Sequence, residues 1–228
     1  MNWQKFENLQ YIANTKDSSD TAVILFHGYG ADATDLYTLS QVYKLSEECD
    51  WFFPQGVLEV PIGPMMTGRA WFEIPQEEFE NMHNRKVKDN GIAPRSEQTL
   101  VEVTRWLNKM GSLYKKVFIG GFSQGAIMTS HSLYRLEFQP AGLLLLSGFL
   151  VAPSSFPTIP ENLKVPFFQS HGTQDMVLPV DGARQLFDHL EKLGLNGKWY
   201  EFGGAHEIPM DVIAESQMFL NSVLDQKA

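Results

Sequence analysis

The stretch from Val117 to Ala126 constrains the fold of this chain more than any other. Three apolar residues lead into glycines and a serine in a Gly-x-Ser-x-Gly pattern, Gly121 to Gly125, and a helical pattern follows. Small residues two positions before and after the serine allow a strand and a helix to approach closely at a tight turn. The strand-turn-helix context, more than the five-residue pattern alone, predicts a nucleophile elbow with Ser123 at its tip.

Apolar runs alternate with amphipathic stretches along the chain, which predicts an α/β fold with a mostly parallel sheet flanked by helices on both faces. Strands are predicted at 8–12, 21–26, 51–53, 117–119, 143–146, 165–169 and 198–202. Helices are predicted at 32–45, 94–110, 124–137, 180–193 and 209–224. We expect one domain over residues 1–228, with a lid-like insertion at about 54–92, because connections of that length are uncommon and usually functional.

The loops that follow the strands are where partners of Ser123 are expected, because ligands of such sheets bind at the carboxyl ends of the strands. His206 lies in a glycine-rich loop after the last predicted strand, and Asp175 lies after strand 165–169. A histidine can take the proton of a serine near neutral pH, and a carboxylate can orient that histidine. Asp181 is a rival acid, but it falls in the first turn of the next helix. The order Ser123, Asp175, His206 is that of α/β-hydrolases.

The loop after strand 21–26 is the predicted oxyanion hole. Backbone N–H groups of Tyr29 and of Gln124, the residue after the serine, are expected to bind a developing negative charge. The same loop offers an alternative, since Gly28 to Ala33 matches the Gly-x-Gly-x-x-Ala pattern of dinucleotide sites. Such a site also needs an acidic residue after the next strand, which here ends Phe52-Phe53-Pro54.

Composition limits the partners. A net charge of −9 disfavours nucleic acid, whose phosphates require a basic surface. Cys49 is the only cysteine, so no internal disulfide or cysteine-rich metal site is expected, and His171 with Asp175 lacks convincing further ligands. No metal and no cofactor are therefore predicted. No apolar stretch approaches the ~20 residues of a transmembrane helix, so we expect no stable membrane insertion and a cytoplasmic protein.

An apolar group lies within the long insertion. It comprises Val57, Leu58, Val60, Ile62, Met65, Met66, Trp71 and Phe72, of which the last four are the candidate substrate-binding residues. They are expected either to line a channel for an apolar acyl chain or to pack beneath a long loop as a small satellite core. The sequence leaves both interpretations open.

Taken together, these residues resemble the phospholipase/carboxylesterase family of α/β-hydrolases, which includes acyl-protein thioesterases and small bacterial carboxylesterases. The resemblance spans about residues 20 to 224 and rests on Phe26 to Gly30, Arg69 to Ile74, Gly120 to Ala126, Leu146 to Gly148, His171 to Pro179 and His206 to Ile208. It implies the same triad and the same two oxyanion-hole residues. The family commonly has tyrosine and aspartate where this chain has Phe72 and Glu73, so substrate preference is not implied.

The resemblance implies a serine hydrolase of carboxylic esters, and we expect a carboxylesterase that hydrolyses short to medium acyl esters through an acyl-enzyme. The alternative is an acyl-protein thioesterase or lysophospholipase that acts on long acyl chains. A binding module without catalysis is a third class, but a complete and correctly ordered triad argues against it. The expected partner is a small-molecule ester or acyl substrate, and a homodimer is left open.

Overall fold

A computed structural model describes residues 1–16, 19–74, 94–151 and 164–226 of the chain. Its strands are β1 (Asn2–Phe6), β2 (Leu9–Asn14), β3 (Thr21–Phe26), β4 (Asp50–Pro54), β5 (Leu58–Gly63), β6 (Met66–Ala70), β7 (Lys116–Phe122), β8 (Gly142–Leu146), β9 (Pro166–Gly172) and β10 (Asn196–Phe202). Its α-helices are α1 (Leu39–Val42), α2 (Pro94–Leu113), α3 (Gln124–Ser132), α4 (Val180–Lys192) and α5 (Met210–Leu224). All seven predicted strands are present, whereas β1, β5 and β6 have no counterpart among the predictions.

Eight strands form the main sheet, in the order β1-β2-β4-β3-β7-β8-β9-β10. The pairs β1–β2 and β2–β4 are antiparallel, and every pair from β4 to β10 is parallel. The predicted mostly parallel α/β sheet is therefore confirmed. Because β3, β7, β8, β9 and β10 run in the same direction, the loops that follow them lie along one edge of the sheet.

Hydrophobic side chains alternate between the two faces of this sheet, as the period of a strand requires. In β3, Ile24 and Phe26 belong to one core cluster, and Val23 and Leu25 belong to the other. The first cluster is covered by residues of α2, α3 and α4, and the second by α5 and the segment around α1. Helices thus cover both faces, as predicted. In the part of the chain described here, no helix is long and apolar enough to cross a membrane.

The predicted helix at 32–45 is wrong, because most of that segment forms successive turns. The Asp32 carboxylate accepts the backbone N–H of Thr34 at 2.8 Å, and Asp32 O accepts the N–H of Asp35 at 3.1 Å. A side chain that accepts hydrogen bonds from nearby backbone N–H groups competes with the carbonyl groups that those N–H groups would bind in an α-helix. Only the single turn Leu39–Val42 is α-helical. The predicted helix at 124–137 also ends early, at Ser132, and continues as one 3-10 turn, Leu133–Arg135.

The first part of the predicted insertion is an antiparallel hairpin, β5–β6, which packs against the loop after β3. The N–H of Gly30 donates to Arg69 O at 2.8 Å, and the N–H of Arg69 donates to Ala31 O at 2.8 Å. The contact is so close that a Cβ on Gly68 would lie 2.0 Å from Gly30 O. The hairpin is therefore fixed to the predicted oxyanion loop. Residues 75–93, which complete the insertion, lie outside the described residues.

Candidate active site

Ser123 lies between the end of β7 and the start of α3, with a backbone conformation that non-glycine residues rarely adopt. Its φ is 56° and its ψ is −118°. The turn is held by the Ser123 N–H, which donates to Leu146 O at 2.9 Å, and by Ser123 O, which accepts the N–H of Ala126 at 3.0 Å. A positive φ in a non-glycine residue is strained and persists only where the surrounding structure fixes it, as at a nucleophile elbow.

The segments that carry the two predicted oxyanion-hole residues, Tyr29 and Gln124, approach this serine. Gln124 is the first residue of α3, so its N–H has no carbonyl four residues earlier within the helix to bind. Gly28 approaches from the other side, and a Cβ placed on it would lie 3.3 Å from the Cβ of Ser123. Tyr29 is the next residue in that loop. The structure therefore brings the backbone segments of both predicted donors to the serine.

Asp175 and His206 form a short hydrogen bond between the loops that follow β9 and β10. His206 Nδ1 lies 2.6 Å from Asp175 Oδ2, and the carboxylate is fully buried. Burial alone would raise the pKa of Asp175, but hydrogen bonds from His171, His206 and the Leu178 N–H hold that pKa well below its usual range. Asp175 is therefore ionised at neutral pH and can stabilise a positive charge on His206.

His206 also contacts the turn that carries the serine. Its ring lies against the ring of Phe122, the residue before Ser123, with centroids 4.7 Å apart. Asp181, the rival acid, lies in the first turn of α4, where its carboxylate is exposed and binds Arg184 at 3.1 Å. Of the two carboxylates, Asp175 is the one that contacts the histidine beside the elbow.

His27 supports the predicted oxyanion loop through contacts that the sequence did not indicate. Its Nδ1 donates to Gly28 O at 2.7 Å, and its Nε2 accepts the N–H of Gly56 at 2.9 Å. Burial lowers the pKa of His27 to about 4, although the hydrogen bond to Gly28 acts in the opposite direction. The ring is therefore neutral, and it links the loop after β3 to the loop after β4.

The side chain of Gln124 makes two contacts that the sequence did not indicate. Its Oε1 accepts the N–H of Trp71 at 2.8 Å, and its Nε2 donates to Phe72 O at 2.8 Å. Trp71 Nε1 in turn donates to His27 O at 2.9 Å. The first residue of α3 thus holds the segment after β6 against the elbow, through contacts that only the folded chain brings together.

The four predicted substrate-binding residues do not lie together. Met65 and Met66, at the tip of the hairpin, are exposed, whereas Trp71 is fully buried against Phe26 and His27. Phe72 is half-buried. It packs against a small apolar cluster formed by Ile127, Phe149 and Leu178, each of which follows the carboxyl end of a different strand. Trp71 is therefore a core residue, whereas Phe72 lies beside an apolar cluster at the edge of the sheet that carries the elbow.

Two alternatives have little support in this geometry. A dinucleotide site of the Gly-x-Gly type requires a helix that begins at the glycine loop, but α1 begins only at Leu39. Within the described ranges, no group of three or more histidine, cysteine, aspartate or glutamate side chains could hold a metal ion.

The fold and the site together define the class. A serine on a strained strand-to-helix turn, with an Asp–His pair on loops at the same sheet edge, is the arrangement of an α/β-hydrolase. The model of the Phospholipase/Carboxylesterase family matches residues 7–224, and the chain belongs to this family. It is a serine hydrolase whose family acts on carboxylic esters and thioesters.

Curated relatives and solved structures agree with this assignment. The chain is 31% identical to acyl-protein thioesterase 1 of Debaryomyces hansenii over 227 residues, which covers 93% of this chain and 95% of the relative. It is 25% identical to carboxylesterase SOBER1 of Arabidopsis thaliana, over 81% of this chain and 82% of the relative. In fold it is similar to esterase PE8, with a TM-score of 0.76, 24% identity, and coverage of 98% and 100% of the two chains.

Lowering the pH from 7 to 5 is expected to destabilise the fold in part through His27. The ordinary pKa of histidine is 6.5, and that of His27 in the folded protein is about 4. At pH values between the two, His27 binds a proton in the unfolded chain but not in the folded one. The resulting stability is present above pH 6.5 and is lost as the pH falls, by about 1–2 kcal/mol at pH 5. Urea denaturation at both pH values measures this loss.

The matched variant is His27→Gln, in which the pH-dependent loss should be smaller by the same amount. His131, whose pKa burial also lowers to about 4, is present in both proteins and contributes equally to both measurements. An equal loss of stability in wild type and variant would contradict the assignment of a neutral His27.

Proposed function

We propose that the protein is a carboxylesterase that uses Ser123, His206 and Asp175 as a catalytic triad. The supporting observation is the 2.6 Å contact between the buried Asp175 carboxylate and His206, whose ring packs beside the elbow residue Phe122. In this mechanism His206 takes the proton of Ser123 while the serine oxygen attacks the carbonyl carbon of an ester. Asp175 keeps the proton of His206 on Nδ1, so that Nε2 is available as the base.

The tetrahedral intermediate requires stabilisation of its oxyanion. Backbone N–H groups of Tyr29 and Gln124 are the proposed donors, and each donor of this kind typically contributes about 3 kcal/mol to lowering the barrier. His206 then donates its proton to the departing alcohol or thiol, which leaves an acyl group on Ser123. Water, activated by His206, hydrolyses this acyl-enzyme and restores the serine.

For the acyl group, we propose contact with the cluster of Ile127, Phe149 and Leu178, together with Phe72. The three cluster residues are buried and pack against one another, which favours short to medium acyl chains over long ones. Long-chain thioester hydrolysis is the second candidate. It is supported by the relative named acyl-protein thioesterase 1 and by the exposed apolar tip of the hairpin, Met65 and Met66. A lid formed by residues 54–92 and a homodimer stay predictions.

Replacing Ser123 by alanine should lower kcat for p-nitrophenyl esters by at least ~10³-fold, because the proposed acyl-enzyme forms on the Ser123 hydroxyl. Ser112→Ala is the matched control, since that exposed serine lies in the last turn of α2 and donates to Lys109 O at 2.7 Å. The control should retain wild-type kcat and kcat/KM. Turnover in Ser123→Ala equal to that of Ser112→Ala would exclude the triad.

Opening the apolar cluster should change the preferred acyl length. Phe149→Ala is expected to move the maximum of kcat/KM toward longer p-nitrophenyl esters by about two or more methylenes, because each buried methylene contributes ~0.8 kcal/mol. Phe6→Ala makes the same change on the edge strand β1, where the side chain packs against the main core. That control should leave the preferred length unchanged. If both variants keep the wild-type preference, the cluster does not bind the acyl chain.

A further inference from the structure

His171 is a second histidine in contact with the proposed catalytic acid. It lies near the end of β9, and its side chain is fully buried. His171 Nε2 is 2.7 Å from Leu178 O and 3.2 Å from Asp175 Oδ2. The proposed triad assigns no role to this side chain. From the sequence, the only chemical role considered for it was that of a metal ligand, for which further ligands were lacking.

The two contacts determine which nitrogen of His171 carries the proton. A carbonyl oxygen and an ionised carboxylate are both acceptors, so Nε2 must be the donor to both. Within the described residues, Nδ1 is buried and has no hydrogen-bond partner. A cationic ring would bury a second N–H without an acceptor, which costs free energy. His171 is therefore neutral, with its proton on Nε2.

These contacts close a ring of hydrogen bonds around the acid loop. Asp175 Oδ1 accepts the N–H groups of Val177 and Leu178, each at 2.8 Å. His171 binds the carbonyl of the same Leu178 and the other carboxylate oxygen, Oδ2. Each oxygen of Asp175 is thus held by at least one contact other than the one to His206. Rotation of the carboxylate about its Cβ–Cγ bond would break contacts on both oxygens.

We infer that His171 is a positioning residue that fixes the Asp175 carboxylate so that Oδ2 faces His206 Nδ1. The inference rests on the proposed function, because it requires that Asp175 orients the catalytic base. It assigns His171 no contact with substrate. Its effect on the reaction passes through Asp175 alone.

Removing the Nε2–H donor of His171 should change the pH dependence of the rate, which a loss of packing alone would not do. Without the second donor, more of the negative charge on Asp175 is available to stabilise a protonated His206, so the acid limb of the pH–rate profile should move to higher pH. Two further carboxylates on the neighbouring segments already have partners. Glu201, which lies opposite His171 on β10, binds Arg184 at 2.8 Å, and Glu207 Oε1 accepts the N–H of Ala205 at 3.2 Å.

The test compares His171→Phe, which keeps a ring but has no donor, with His171→Gln, which keeps a terminal N–H group. Active sites are counted by titration with a fluorophosphonate, so that kcat/KM refers to reactive enzyme only. In His171→Phe we expect kcat/KM to fall 10–100-fold, which is the usual effect of removing an outer hydrogen-bond partner of a metal ligand. We also expect the acid limb of its pH–rate profile to move to higher pH by ~0.5 unit. His171→Gln should stay within about fivefold of wild type, with an unmoved acid limb.

Two results would overturn the inference. One is a titrated His171→Phe enzyme with wild-type kcat/KM and an unmoved acid limb. The other is equal impairment of both variants with no movement of the acid limb, which would indicate a packing role. If His171→Phe does not fold, long-range ¹H–¹⁵N spectra of the wild-type protein decide. The spectra should show His171 neutral with its proton on Nε2. The His171 signals are assigned by their absence from the spectrum of His171→Gln. A cationic ring or a proton on Nδ1 would contradict the inference.

Failure of this inference is distinct from failure of the proposed function. Ser123→Ala and His206→Ala test the triad without reference to His171. If both are inactive while His171→Phe behaves as wild type, only the positioning role is lost. If Ser123→Ala retains turnover, the triad itself is wrong, whatever His171→Phe does.

Discussion

The close approach of α3 to β3 is the contact on which the geometry of the site depends. A Cβ on Gly125 would lie 2.0 Å from Phe26 O, and a Cβ on Gly121 would lie 2.5 Å from the carbonyl carbon of Gly125. Without side chains at these two positions, the helix can begin directly over the strand. This contact forces Ser123 into its strained turn, and it places that turn beside the loop that begins at His27. The positions of the proposed nucleophile and of the proposed oxyanion hole thus follow from one packing constraint.

Buried hydrogen bonds then connect the surrounding segments to this contact. The Gln124 amide holds the backbone of Trp71 and Phe72, the Trp71 indole binds His27 O, and the His27 ring binds the N–H of Gly56. These bonds are satisfied at both ends in a buried environment, where an unmade bond is costly. The loops after β3, β4 and β6 therefore form one frame around the serine. A frame of this kind orients donors before the substrate arrives, which is the main requirement for stabilising an oxyanion.

The sequence predicted the parts that depend on local pattern and on strand direction. The central strands are continuous apolar runs, and the carboxyl ends of parallel strands share one edge, so Asp175 and His206 could be placed near Ser123 without coordinates. The sequence failed where a distant or polar contact decides the structure. The segment 32–45 has a helical apolar pattern, but the Asp32 carboxylate takes backbone N–H groups that a helix would need. Trp71 is held in the core by hydrogen bonds to residues distant in the chain, and the hydrophobic periodicity of the sequence does not reveal such contacts.

The contact between His171 and Asp175 is another polar contact that the sequence did not indicate. A buried histidine near the end of a strand is usually a core residue, and only the turn at 175–178 brings the acid back to it. The polar contacts around the site thus join residues from β9, from α3 and from the loops after β3, β6 and β9. They arise from the folded arrangement of the sheet edge and not from any single motif. This explains why the sequence could place Asp175 and His206 on one sheet edge but could not indicate the groups that contact them.

The central claim is that the fold activates Ser123 as a nucleophile. The most direct measurement is to treat the folded wild-type protein with a fluorophosphonate and to locate the adduct by peptide mass spectrometry. We expect a single adduct on Ser123 that forms rapidly at neutral pH, and no labelling of protein that is unfolded in urea before the reagent is added. Absence of labelling in the folded protein, or an adduct on another residue while Ser123 stays unmodified, would contradict it.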